Sequence, residues 1–121
     1  MKIIVLKFGG SSVGNIKRIK KVANIIVSYK KKGYNPIVIS SAMSGTTNDL
    51  IKKSRAITSN FSTVEYDALV STGEQISCSL IAGTLGSIGC KSQSWMGWQV
   101  PIFTEGKHSS SRITHINKNK I

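Results

Sequence analysis

Acidic residues are scarce in this chain. Five Asp and Glu stand against 17 Lys and Arg in 121 residues, a formal net charge of +12. The imbalance raises polyanion binding as an explanation, because clustered cations concentrate phosphate ligands. The cations are scattered, however, over Lys17, Lys20, Lys21, the block Lys30, Lys31 and Lys32, then Lys52, Lys53, Lys118 and Lys120. No aromatic residues alternate with them to stack bases. The reading is a solvated lysine-rich surface with no specific nucleic-acid partner. Long apolar runs are also missing. A membrane-spanning helix needs roughly 18 or more consecutive apolar residues, so no membrane span is expected. The opening MKIIVLKFGG is too short an apolar run for a secretion signal and reads better as a strand. Cysteine is limited to Cys78 and Cys90, with no CxxC pattern. That excludes a disulfide framework and fits free buried thiols of a cytoplasmic protein. His108 and His115 are not spaced as metal ligands and have no cysteine nearby, so no metal site is expected.

What is present patterns as alternating strands and helices. Residues 2 to 8, KIIVLKF, form a near-continuous apolar run suited to a strand buried on both faces, as in a parallel sheet. Asn15 is a good helix N-cap, and Ile16, Ile19, Ala23 and Ile26 follow at helical spacing until Gly33. Residues 36 to 42, PIVISSA, read as a second buried strand. Residues 2 to 42 are therefore a βαβ unit with a right-handed crossover expected. A second helix over 48 to 58, capped by Thr46 or Thr47, should turn Leu50 and Ile57 inward. Residues 64 to 71 read as a helix broken at Ser71-Thr72-Gly73. Glu74 then opens a long helix with Ile76, Leu80, Ile81 and Leu85 on one face, ended by Gly89. Two short strands are expected at 91 to 96 and 99 to 104. The stretch beyond is polar and basic. Length and composition suit one domain with a modest core.

Three stretches carry chemistry. In VLKFGGSSVGN, residues 5 to 15, a strand ends in a lysine and a glycine pair. Glycines let backbone N–H groups approach an anion, and the following helix start adds partial positive charge. The order differs from the Walker A loop, where the lysine follows the glycines, and GxGxxG is absent. In SSAMSGTTNDL, residues 40 to 50, hydroxyls cluster at the end of the second strand, where open parallel sheets bind ligands. In VSTGEQIS, residues 70 to 77, Glu74 is one of few acids and can hold an ammonium group. Taken singly, each has a plainer reading: a tight turn with a snorkelling lysine, a helix cap, and a carboxylate complementing a helix dipole.

Together with SWMGWQVPIFT at 94 to 104, these stretches in this order resemble the aspartokinases of the amino-acid kinase family. The resemblance covers residues 2 to about 113. It implies an α/β fold, an α/β/α sandwich around a mainly parallel sheet, here truncated. It implies ATP-dependent phosphorylation of the L-aspartate side-chain carboxylate to 4-phospho-L-aspartate, with Mg2+ expected. That step opens the routes to lysine, threonine, methionine and diaminopimelate. By the same resemblance Lys7, Phe8, Gly9, Gly10 and Ser41 match nucleotide-phosphate positions, with Lys7 also catalytic. Ser11, Thr47 and Glu74 match substrate positions, and Ser11 stands where these enzymes usually have threonine.

Residues 1 to 121 then read as the N-terminal part of such a kinase domain, with 106 to 121 a polar tail open to disorder. The family's later stretches do not occur: a glycine-rich turn, a segment ending in an aspartate, a substrate arginine and the nucleotide-binding half. The expectation is a truncated chain, inactive alone, that forms a homo-oligomer or depends on a C-terminal half in trans. The missing acids would belong to that half. Three rivals remain: a kinase acting on glutamate or acetylglutamate, which SWMGWQVPIFT and STGEQIS oppose; a non-catalytic small-molecule-binding or interaction domain; and a basic nucleic-acid-binding protein.

Overall fold

The computed structural model describes residues 2–117 and 119, so Lys118 and Lys120 of the basic inventory lie outside the described residues. Strand β1 (Lys2–Phe8) leads into helix α1 (Ile16–Lys31), which returns the chain to strand β2 (Tyr34–Ser40). The two strands pair in parallel, in register from Lys2 opposite Tyr34 to Phe8 opposite Ser40. The βαβ unit therefore forms as expected, with β2 starting and ending two residues earlier. Asn15 caps α1, its side chain accepting from the Arg18 amide at 3.0 Å. Gly33 and Gly89 follow the ends of helices with φ of 85° and 76°, left-handed values that a side chain would strain.

Helix α2 (Thr46–Ile57) and helix α3 (Thr63–Ser87) follow. Helix α3 corrects the expected break at Ser71-Thr72-Gly73, since the helix runs through it unbroken. Tertiary contact overrides the breaker signal: a Cβ on Gly73 would stand 2.9 Å from the Ala42 Cβ and 3.3 Å from the Thr46 Cγ2. Glycine is there to let α3 approach the loop after β2, and glycine in a helix costs only about 1 kcal/mol.

The core lies on one side of the sheet. Val13, Ile19, Val22, Ala23 and Ile26 are buried with Ile81 and Leu85, and Leu6, Phe8 and Val38 pack against them from the strands. Three expectations about inward residues fail. Ile16, in the first turn of α1, is 53% exposed, and Ile57, at the end of α2, is 75% exposed. Ile76 is also exposed, because Gly73, Ser77, Ile81 and Leu85 form the buried stripe of α3 instead. Nor is β1 covered on both faces. Helices α1 and α3 pack on the face of Leu6 and Phe8, and Ile3 and Val5 on the other face are exposed.

No strand forms over 91 to 96. After an irregular segment the chain makes an antiparallel hairpin of β3 (Ile102–Glu105) and β4 (Arg112–Ile116), with an irregularity between Phe103 and Thr104. Strand β4 lies inside the segment read as a polar tail, so its backbone is paired with β3 there. Every residue of β3 and β4 is exposed. The hairpin turn is held to α3 by Asp67. Its carboxylate accepts from the Ser109 amide and hydroxyl, both at 2.8 Å, and lies 2.9 Å from His108 Nδ1. Ser109 adopts φ 64°, a left-handed value unusual for a non-glycine residue, and its two bonds to Asp67 offset the strain. The Ser109 hydrogen bonds, then His108, hold the Asp67 carboxyl below its ordinary range.

Candidate functional site

The glycine loop grows out of the end of β1. Lys7 is exposed, and its ammonium nitrogen lies 3.8 Å from where a Gly9 Cβ would stand. Two tight turns follow, Ser12 N–H bonding the Gly9 carbonyl at 2.9 Å and Val13 N–H bonding that of Gly10 at 3.3 Å. Arg18, one turn into α1, donates to the Ser11 carbonyl at 2.7 Å and ties the loop to its helix. Phe8 is half-buried and packs against the core at the base of the loop.

The loop after β2 lies against the glycine loop. Ser41 N–H bonds the Phe8 carbonyl at 3.0 Å, continuing the strand pairing into the site. A Cβ on Gly10 would lie 3.1 Å from the Ala42 carbonyl oxygen, and one on Gly14 would lie 3.3 Å from the Ser44 Cβ. Glycine at both positions permits this approach. Gly45, with φ 84°, precedes α2 and supplies no side-chain cap. Thr47 is the second residue of α2 and half-buried. This corrects the expectation that Thr46 or Thr47 caps α2; both lie inside its first turn.

Helix α3 closes the third side. Glu74 sits in its middle rather than at its start, so the reading that it merely complements a helix dipole does not hold. Its Oε1 accepts from the Ala42 amide at 3.3 Å. One turn on, Ser77 is fully buried, and its hydroxyl donates to the Ser41 carbonyl at 2.6 Å. The Cys78 thiol beside it is half-buried and pushed up, first by burial and then by the Glu74 charge. Cys90 is likewise free and half-buried, less enclosed than the sequence suggested.

The structure thus brings the three stretches together at the C-terminal end of the two parallel strands. Lys7, Gly9, Gly10, Ser41 and Glu74 fall within this meeting of loops, with Ser11 on its rim and Thr47 at the start of α2. Sequence reasoning missed Gly73 and Ser77. Their spacing of four residues, on one helix face with Glu74 between, was the available signal. It also treated the cations as dispersed, whereas Lys17, Arg18 and Lys21 line a groove of about 440 Å³ beside Phe8 and Ser12. Tyr29 and Tyr34, which flank the Lys30 to Lys32 block, meet edge to face at 6.0 Å, and Lys32 lies over Tyr29. The rings are engaged with each other and with a lysine. Among the described residues, no group of three His, Cys, Asp or Glu side chains can hold a metal, and no helix is long and apolar enough to cross a membrane.

Residues 2–121 match the model of the amino acid kinase family. The chain is 45% identical over its whole length to an aspartokinase of Geobacillus stearothermophilus and covers 30% of that protein. It is 41% identical over 117 residues to aspartokinase 2 of Bacillus subtilis (strain 168), covering 97% of the chain and 29% of the relative. The fold matches a crystal structure of aspartate kinase from Synechocystis with a TM-score of 0.78 and 40% identity, over 81% of this chain and 17% of that one. The chain therefore spans about 30% of the length of these curated relatives, and the match corresponds to their N-terminal portion.

Proposed function

The chain belongs to the amino acid kinase family, and from that premise we propose that it carries the phosphate-loop and amino-acid-binding side of an aspartate kinase. The reaction is transfer of a phosphoryl group from ATP to the side-chain carboxylate of L-aspartate, in the cytoplasm. The observation that carries this reading is the meeting of a glycine loop, a hydroxyl-rich loop and a helix-borne carboxylate at one end of a parallel sheet.

The residues present fit the triphosphate end of ATP. Side-chain-free backbone at Gly9 and Gly10 is open to an anion, Lys7 stands over it, and Ser41 lies alongside. ATP supplies the phosphoryl group. Lys7 and the loop amides stabilise the charge on that group as it transfers. Glu74 takes the aspartate ammonium on the oxygen not bonded to Ala42, and the Thr47 and Ser11 hydroxyls orient the substrate. The attacking carboxylate is ionised at neutral pH, so no general base is required. Among the described residues no group of three His, Cys, Asp or Glu side chains could hold Mg2+, an ion ordinarily bound through substrate phosphates, waters and one or two carboxylates.

The test is hydroxylamine trapping of the acyl phosphate, using this chain alone and mixed with a separately expressed remainder of an aspartokinase. The chain alone should give no product, and the mixture should give product that requires aspartate and ATP. In the mixture Lys7→Ala should lower the rate by about 10²- to 10³-fold. Transfer to glutamate or acetylglutamate in preference to aspartate, or full activity of Lys7→Ala, would count against the assignment.

A further inference from the structure

The segment Ser40 to Ser44 is a strap wedged between two elements. On one side the Ala42 carbonyl and Ser44 press against Gly10 and Gly14 of the glycine loop. On the other, α3 grips its backbone at two successive residues. Ser77 donates to the Ser41 carbonyl at 2.6 Å, and Glu74 accepts from the Ala42 amide at 3.3 Å. The Ser40 hydroxyl lies 3.1 Å from the Ser41 carbonyl and 3.3 Å from the Ser77 oxygen and can donate its proton to either. Gly73, which would clash with Ala42 if it carried a side chain, brings α3 close enough for both bonds.

We infer that Ser77 is a positioning residue: it fixes the peptide between Ser41 and Ala42, and through the strap it holds the glycine loop in its anion-accepting form. Ser77 is fully buried, so its hydroxyl reaches the strap only through its contacts with Ser40 and Ser41. Glu74 serves the same strap with one carboxylate oxygen. An ammonium group bound at the other oxygen therefore bears on the strap as well, and the amino-acid and phosphate ends of the site share one wall. The consequence for ligand binding rests on the aspartate-kinase reading; the consequence for the strap does not.

The test compares Ser77→Ala with Ser54→Ala in the whole chain. Ser54 is an equally enclosed serine, 2% exposed, whose hydroxyl bonds Ile51 within its own helix and lies outside the strap. Amide hydrogen exchange should rise about fivefold to tenfold at Ser41 and Ala42 in Ser77→Ala, the effect of one lost hydrogen bond, and stay unchanged there in Ser54→Ala. Ser77→Cys, slightly larger and keeping a weak donor, should fall between; it carries the comparison if the alanine variant does not fold. ATP affinity by titration of the mixture with a separately expressed remainder of an aspartokinase should drop by a similar factor in Ser77→Ala only. Exchange at Ser41 and Ala42 that is unchanged, or that rises evenly across the chain, overturns the inference. If the mixture made with the unsubstituted chain binds no ATP while exchange rises at the strap, the positioning stands and the kinase reading loses its support.

Discussion

The two faces of the β1–β2 sheet are made from alternate residues of the same strands, yet they differ in almost every physical respect. On one face Leu6, Phe8 and Val38 pack under α1 and α3 against Ile19, Val22 and Leu85. On the other, Ile3 is 65% exposed, Val5 61% and Ile39 51%, in a row that ends at Lys7. A strand places successive side chains on opposite faces, and both faces of these strands carry large apolar residues, so composition does not account for the contrast. It arises from where the helices go. In this chain both packed helices lie on one side, and a parallel sheet of this composition is ordinarily covered on both.

Substitutions can break or sharpen that contrast. Ile19→Ala, on the covered side and 1% exposed, should lower stability by roughly 2–5 kcal/mol in thermal or urea unfolding. Val5→Ala on the bare face should change it by no more than about 0.5 kcal/mol. Equal losses at the two positions would show that the bare face is packed in solution. Gly73→Ala comes next. Its methyl would sit 2.9 Å from the Ala42 Cβ, and the overpacking should cost about 1–3 kcal/mol despite alanine's better helix propensity.

A smaller effect is expected where the hairpin meets the body. Asp67→Asn should speed exchange at the Ser109 amide while leaving the unfolding midpoint nearly unmoved, since β3 and β4 bury little. The Asp67 pKa is depressed in the folded state, so its stabilisation is fully present above the ordinary carboxylate range. It is lost as pH falls through the depressed value. Protection of the Ser109 amide, its exchange rate relative to the intrinsic rate at the same pH, should therefore fall in acid in the unsubstituted chain and lose that dependence in Asp67→Asn. The smallest effect on stability belongs to the bare face itself. Ile3→Glu should leave unfolding within about 0.5 kcal/mol of the parent and reduce binding of a hydrophobic dye, because it breaks an exposed apolar patch. Unchanged dye binding would move the exposed apolar surface elsewhere, with the hairpin's Phe103 and Ile113 as the next candidates.

Much of the site could be read from local chemistry. The Asn15 cap, the positive-φ glycines after α1 and α3, and the parallel pairing of two apolar strands all follow from residue type at a short spacing. The neighbourhood of the glycine loop and the Ser40 to Ser44 loop also followed, because parallel strands put their C-terminal loops side by side. What could not be read were features whose meaning depends on a distant partner. Gly73 looks like a helix breaker until Ala42 lies against it. Ser77 looks like an ordinary helix serine until the Ser41 carbonyl stands 2.6 Å away. Strand β4 looks like a tail until β3 pairs with it.

By itself, then, the sequence determined the βαβ beginning, the order of the three site-forming stretches and the residues that can meet an anion or an ammonium group. Those rest on period, capping and backbone freedom, which act over a few residues. Only the tertiary structure decided which face of the sheet is covered, that α3 passes unbroken through Gly73, and that Glu74 and Ser77 grip the strap. The contacts of Gly73, Glu74 and Ser77 with the strap join residues more than 30 positions apart along the chain, and their closure entropy depends on the whole fold rather than on any local pattern.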